Sequence, residues 1–133
     1  MRVVAKVRVP ASGEYLQVLR HVVATVAARA GCSIDVLADL RLAVDEAALR
    51  LLHDVASTTS LMAEAARDDG GLTVSVVAGS AATDPPWPTP GLEASMGWQI
   101  LQALVDEPRA VRTDEGPAIT FHVVAGDAGG SGG

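Results

Sequence analysis

Residues 2–10 alternate. Val3, Ala5, Val7 and Val9 fall on one side and Arg2, Lys6 and Arg8 on the other, the period of a half-buried strand that ends at Pro10. From Ser12 the period changes: Leu16, Leu19, Val23, Val26 and Ala30 recur at helical spacing, which predicts a helix capped by Ser12 and stopped by Gly31. Ser33 caps the next helix, with Asp35 in its first turn and Leu37, Leu40, Val44, Ala47, Leu51 and Val55 as the core stripe. SLMAEAA and LTVSVVA then alternate around the turn RDDGG, a hairpin signal. Four prolines in GSAATDPPWPTPG forbid regular structure and mark a long loop. A third helix is expected from Glu93 or Ser95 to Asp106, burying Met96, Ile100, Leu101 and Leu104. A last hairpin turns at DEG between RAVRT and AITFHVV. The tail GDAGGSGG has nothing to pack and is expected to be disordered.

The order β-α-α-β-β-loop-α-β-β, with one apolar face per strand, predicts an α/β fold. It is a two-layer sandwich in which a mainly antiparallel sheet of about five strands carries three helices on one face. There is no internal repeat. A chain of 133 residues, 49% hydrophobic, holds one core, so a single domain is expected over residues 1–125, followed by the tail 126–133. The net charge of −6 argues against nucleic acid or an anionic membrane as the main partner and leaves basic partners open. One cysteine excludes an internal disulfide, and MRVVAKVRV lacks the apolar core of a signal peptide. The expectation is a cytoplasmic protein, with no apolar run near the roughly 18 residues a membrane helix needs.

Candidate chemistry sits in DLRLAVDEAALRLLHDV. Glu46, Arg50 and His53 share an arc of roughly 60° away from the core stripe. Taken alone, Glu46 and Arg50 make an i,i+4 surface pair worth about 0.3–0.5 kcal/mol. His21, His53 and His122 lie on different elements without ligand spacing and Cys32 stands by itself, so no metal site is expected. Neither a G-x-S-x-G nor a P-loop pattern occurs.

LRLAVDEAALRLLHD resembles the N-box helix of the GHKL (Bergerat-fold) ATPase superfamily, in particular its partner-switching anti-sigma factors and serine-protein kinases, whose pattern is E-x-x-x-N-x-x-x-H. SMGWQILQALVDEPRAV is similar to the family's G-x-G segment and the helix after it. The likeness runs over about residues 2 to 124 in element order and implies the same two-layer fold.

By position, the resemblance makes Glu46 the general base that orients the attacking group toward a terminal phosphate. Arg50 stands where the family has a magnesium-ligating asparagine; a guanidinium has no acceptor, but Arg50 remains a nucleotide-binding candidate that can pair with a phosphate directly. Ser95 replaces the first glycine of the G-x-G pair, leaving Gly97 as the close approach to phosphate. The adenine-reading aspartate of D-x-G-x-G is replaced in Ala78–Ala82, with Asp84 too far along to substitute without a bulge. ATP and Mg²⁺ are thus the implied cofactors, held weakly or lost. Arg20 matches an arginine of the first helix used in partner contact, and Trp87 either is an aromatic anchor for docking or rests with its loop on its own domain; Trp98 is expected in the core.

The implied function is an anti-sigma factor that sequesters an alternative sigma factor and is released by a STAS-domain anti-anti-sigma factor, resting as a homodimer. The alternative is an active serine/threonine kinase that phosphorylates the antagonist. On the binding reading, Arg20→Glu is expected to weaken partner binding without disturbing the fold.

Overall fold

A computed structural model describes residues 1–125; the tail 126–133, expected to be disordered, lies outside them. The strands are β1 (Arg2–Pro10), β2 (Thr58–Asp68), β3 (Gly71–Ser80), β4 (Asp106–Thr113) and β5 (Gly116–Val124). The helices are α1 (Leu16–Arg29), α2 (Ile34–Asp54) and α3 (Met96–Leu104), and short 3-10 turns at Gly13–Tyr15 and Leu92–Ala94 lead into α1 and α3. The sheet order is β1-β2-β3-β5-β4, with every neighbouring pair antiparallel. This is the α/β sandwich that alternation predicts.

The helices cover one face of the sheet. Leu61, Leu72, Val74, Val76, Ile119 and Phe121 point into the helix layer and are almost wholly buried, each such aliphatic or aromatic side chain contributing about 1.5–3 kcal/mol. α2 lies in the middle, packed on α1 and α3 and over β3 and β5. Its buried row Ala43, Ala47 and Ala48 lets it approach its neighbours closely between Leu40, Val44 and Leu51. The far face of the sheet carries only a small cluster of Met62, Val77 and Ala118. Above it Glu115, in the β4–β5 turn, reaches Lys6 at 3.1 Å and Arg8 at 3.2 Å on β1, so that hairpin tip folds across two intervening strands. Gly116 allows this: its φ is +137°, and a β-carbon there would lie 2.2 Å from the Ala78 carbonyl oxygen.

Two local expectations change. Ser12 precedes a 3-10 turn and makes no side-chain cap, so α1 begins at Leu16. In α3, Met96 is 78% and Ile100 40% exposed, whereas Gly97, Trp98 and Leu101 are buried. The bulky Trp98 indole takes the inward position, and the helical phase then turns Met96 and Ile100 outward. Among the described residues no helix is long and apolar enough to cross a membrane.

Candidate functional site

The Ser33 hydroxyl accepts from the Val36 N–H at 3.2 Å, which caps α2. From there Glu46, Arg50 and Asp54, each one turn after the last, run along the side of α2 that faces α3 and the loop. Glu46 and Arg50 meet Gly97: a β-carbon at Gly97 would lie 2.8 Å from Glu46 Oε2 and 3.2 Å from Arg50 Nη2. The first turn of α3 therefore rests directly on both side chains.

Arg50 makes no ion pair with Glu46. Its Nη1 donates to Asp54 Oδ1 at 3.2 Å, and His53 Nδ1 lies 2.7 Å from the same oxygen. The Asp54 side chain is 7% exposed and that of His53 79%. Burial alone raises the Asp54 pKa, but the hydrogen bonds with His53 and Arg50, with the Arg50 charge, outweigh it and hold the carboxyl below its ordinary value. The Thr89 hydroxyl and Arg50 Nε are both buried without a hydrogen-bond partner among the described residues. Glu46 has neither hydrogen bond nor ion pair among those residues. It borders an open groove of about 510 Å³ lined by Leu49, Arg50, Leu52 and His53.

Thr89 belongs to the proline-rich loop, which is pinned along its length. Trp87 is 5% exposed, and its indole N–H donates to the carbonyls of Val111 at 3.1 Å and Ala118 at 3.2 Å. Arg112 donates to the carbonyls of Pro85 and Trp87 and pairs with Asp84 at 3.1 Å. At the far end the Ser95 hydroxyl donates to the Leu92 carbonyl at 2.6 Å and accepts from the Trp98 N–H at 3.2 Å, the N-cap of α3.

The structure thus brings Glu46, Arg50 and Gly97 together and puts Ser95 two residues away as a helix cap. Of the two readings open for Trp87, the structure shows the indole buried with both hydrogen bonds going to β4 and β5, so that it fastens the loop to its own domain. Arg20 sits apart on α1, where its Nη1 bridges both Asp45 carboxylate oxygens at 2.9 and 2.6 Å. Sequence reasoning passed over Asp54, Thr89 and Arg112. For Asp54 a signal existed, since it falls eight residues after Glu46, the position at which E-x-x-x-N-x-x-x-H ends. For Thr89 and Arg112, distant in sequence from α2 and the loop respectively, there was none.

The family model for the histidine kinase-like ATPase domain matches residues 9–123. The chain belongs to that family. A comparison with curated proteins finds no match.

Histidine kinase-like ATPase domains of the GHKL type typically bind ATP and Mg²⁺, and the donor set here does not fit that pair. Magnesium takes oxygen ligands in near-octahedral array; Arg50 supplies none, and the adjacent Asp54 carboxylate already holds Arg50 and His53. After β3, Ser80 Oγ donates to the Ala56 carbonyl at 2.6 Å and accepts from the Ala82 N–H at 3.0 Å. Asp84, the next carboxylate, is turned to Arg112. Nothing in Ala78–Ala82 offers a carboxylate to an exocyclic amine.

Proposed function

We propose that this histidine kinase-like ATPase domain acts as a protein-binding module, an anti-sigma factor that sequesters an alternative sigma factor and yields it to a STAS-domain antagonist. The observation that carries the reading is the outer surface of the helix layer. Val18 of α1, Leu42 and Leu49 of α2, and Met96 and Ile100 of α3 are all 40% exposed or more, on three elements that pack side by side. Exposed apolar side chains on all three helices of one layer suit a surface that another protein covers. The Arg50–Asp54 pair supports the same reading, because it stands where phosphotransfer needs a metal ligand. The resting state on this reading is a homodimer, which sedimentation equilibrium checks.

Titrating the purified chain against the alternative sigma factors of its host tests the proposal. One of them is expected to bind, to be displaced by a STAS-domain protein, and to bind at least about tenfold more weakly to Leu49→Asp or Ile100→Asp with unchanged circular dichroism. Failure of every sigma factor to bind would refute it.

A second reading has one observation in its favour: the Glu46 carboxylate is unpaired among the described residues and borders an open groove, as a general base must. Phosphate transfer to the antagonist that disappears in Glu46→Ala would establish the kinase.

A further inference from the structure

We infer that the exposed face of α2 is a docking seam for one amphipathic helix of the partner, a helix that carries lysines or arginines between its apolar positions. The inference rests on the reading above that the domain binds a protein, and it names the chemistry of the segment bound.

Asp39, Leu42, Glu46, Leu49 and His53 follow one another at spacings of three, four, three and four. At about 100° per residue they share an arc of roughly 80°, opposite the core row of Leu40, Val44, Ala47 and Leu51. That is the repeat by which one helix packs along another. A face meant only for solvent would be polar throughout, yet Leu42 is 57% and Leu49 51% exposed. Because α2 lies between α1 and α3, the row runs down the middle of the helix layer, with Val18 on one neighbouring helix and Met96 and Ile100 on the other adding apolar exposure.

Charge selects the occupant. The side chains of Asp39 and Glu46 have neither ion pair nor hydrogen bond among the described residues, and the nearby Arg50 is paired with Asp54. Glu46 borders the open groove of about 510 Å³ that Leu49 and Leu52 also line. The groove has room for the aliphatic stem of a lysine or arginine with its charged end on the carboxylate. Acid and leucine alternate along the row, so the matching helix alternates cation and apolar residue. A second copy of this chain does not supply that helix: its own row has no lysine or arginine, and like carboxylates would meet. An anionic membrane is disfavoured by the same carboxylates.

A synthetic helical peptide with leucine and lysine alternating at spacings of three and four, titrated into the full chain and followed by amide NMR shifts, tests this. The largest shifts are expected within residues 39–53. A scrambled peptide of the same composition is expected to bind at least about tenfold more weakly, and so is the patterned peptide to Glu46→Lys. A patterned peptide with glutamate in place of lysine is expected to leave the wild type unbound and to bind the double variant Asp39→Lys, Glu46→Lys, an exchange that a merely structural role for these carboxylates does not produce. If Glu46→Lys disturbs the contact with Gly97, Asp39→Lys, two turns earlier, carries the comparison by itself. Equal binding of the scrambled peptide, undiminished binding to the variants, shifts centred elsewhere, or no binding would each overturn the inference. No sigma factor takes part, so a failed sigma-factor titration leaves this result standing. A sigma factor that binds without shifting α2 would remove the seam and leave the proposed function intact.

Discussion

Arg50 donates to Asp54, one turn ahead on α2, at 3.2 Å, and not to Glu46, one turn behind. The choice follows from burial. Asp54 is nearly enclosed and would be left as an uncompensated charge, whereas Glu46 reaches the open groove and remains solvated. One consequence is that the row of three charged side chains carries a neutralised pair at one end and a free carboxylate at the other.

The lowered pKa of Asp54 makes its contribution to stability depend on pH in a definite sense. Its carboxyl is more acidic in the folded chain than the ordinary value of 3.8, so the native state favours the ionised form. That stabilisation is complete above the unfolded-state pKa and is lost as pH falls through the lower folded-state pKa. Urea unfolding at pH 7 and pH 5 should show Asp54→Asn less stable than wild type by about 1–3 kcal/mol. The difference should shrink below about pH 4 as the wild-type carboxylate protonates.

Trp87 should behave as a core residue in spite of its setting among prolines. Trp87→Ala is expected to lower stability by about 3–5 kcal/mol. Trp87→Phe, which keeps most of the apolar body and loses only the bonds to Val111 and Ala118, should lower it by about 1–3 kcal/mol. Chemical denaturation gives both values; a surface-docking indole would leave stability nearly unchanged.

Two glycines with crowded β-positions should respond oppositely. At Gly97 the nearest atoms are the tips of Glu46 and Arg50, which can swing away, and alanine improves helix propensity. Gly97→Ala should therefore change stability by no more than about 1 kcal/mol. At Gly116 the obstacle is the Ala78 backbone at 2.2 Å and φ is +137°, so Gly116→Ala should cost more than about 2 kcal/mol. Thermal melts of the two variants decide this.

Arg20 is tied to Asp45 across the α1–α2 contact, with side chains 31% and 28% exposed. A double-mutant cycle with Arg20→Ala and Asp45→Ala should give a coupling of about 0.5–1 kcal/mol. Arg20→Glu, expected from the sequence to leave the fold undisturbed, would set two carboxylates against each other and should lower the melting temperature. A partner-binding loss in that variant therefore reports on Arg20 only alongside Asp45→Ala, which frees the guanidinium without repulsion.

Much of the fold was legible from period and punctuation. Alternation located the strands, Ser33 and Gly31 marked helix ends that the structure keeps, and the apolar stripe of α2 is buried nearly as predicted. Where the reading failed, long-range packing had overruled a local signal. Met96 and Ile100 match an inward stripe as well as Leu101 does, and only the space required by Trp98 sets the phase of α3. The proline-rich segment showed that it could not be helix or strand, but not that Trp87 and Arg112 would bind it to β4 and β5.

By itself the sequence determined the order of elements, the sandwich and the presence of Glu46 and Arg50 on one side of α2, because hydrophobic period and helical spacing are local properties. Which acid Arg50 pairs with, whether Trp87 faces solvent, and what Gly97 touches were decided by the tertiary structure. Those outcomes depend on burial and on groups tens of residues apart in the chain, and desolvation has no local signature from which to read them.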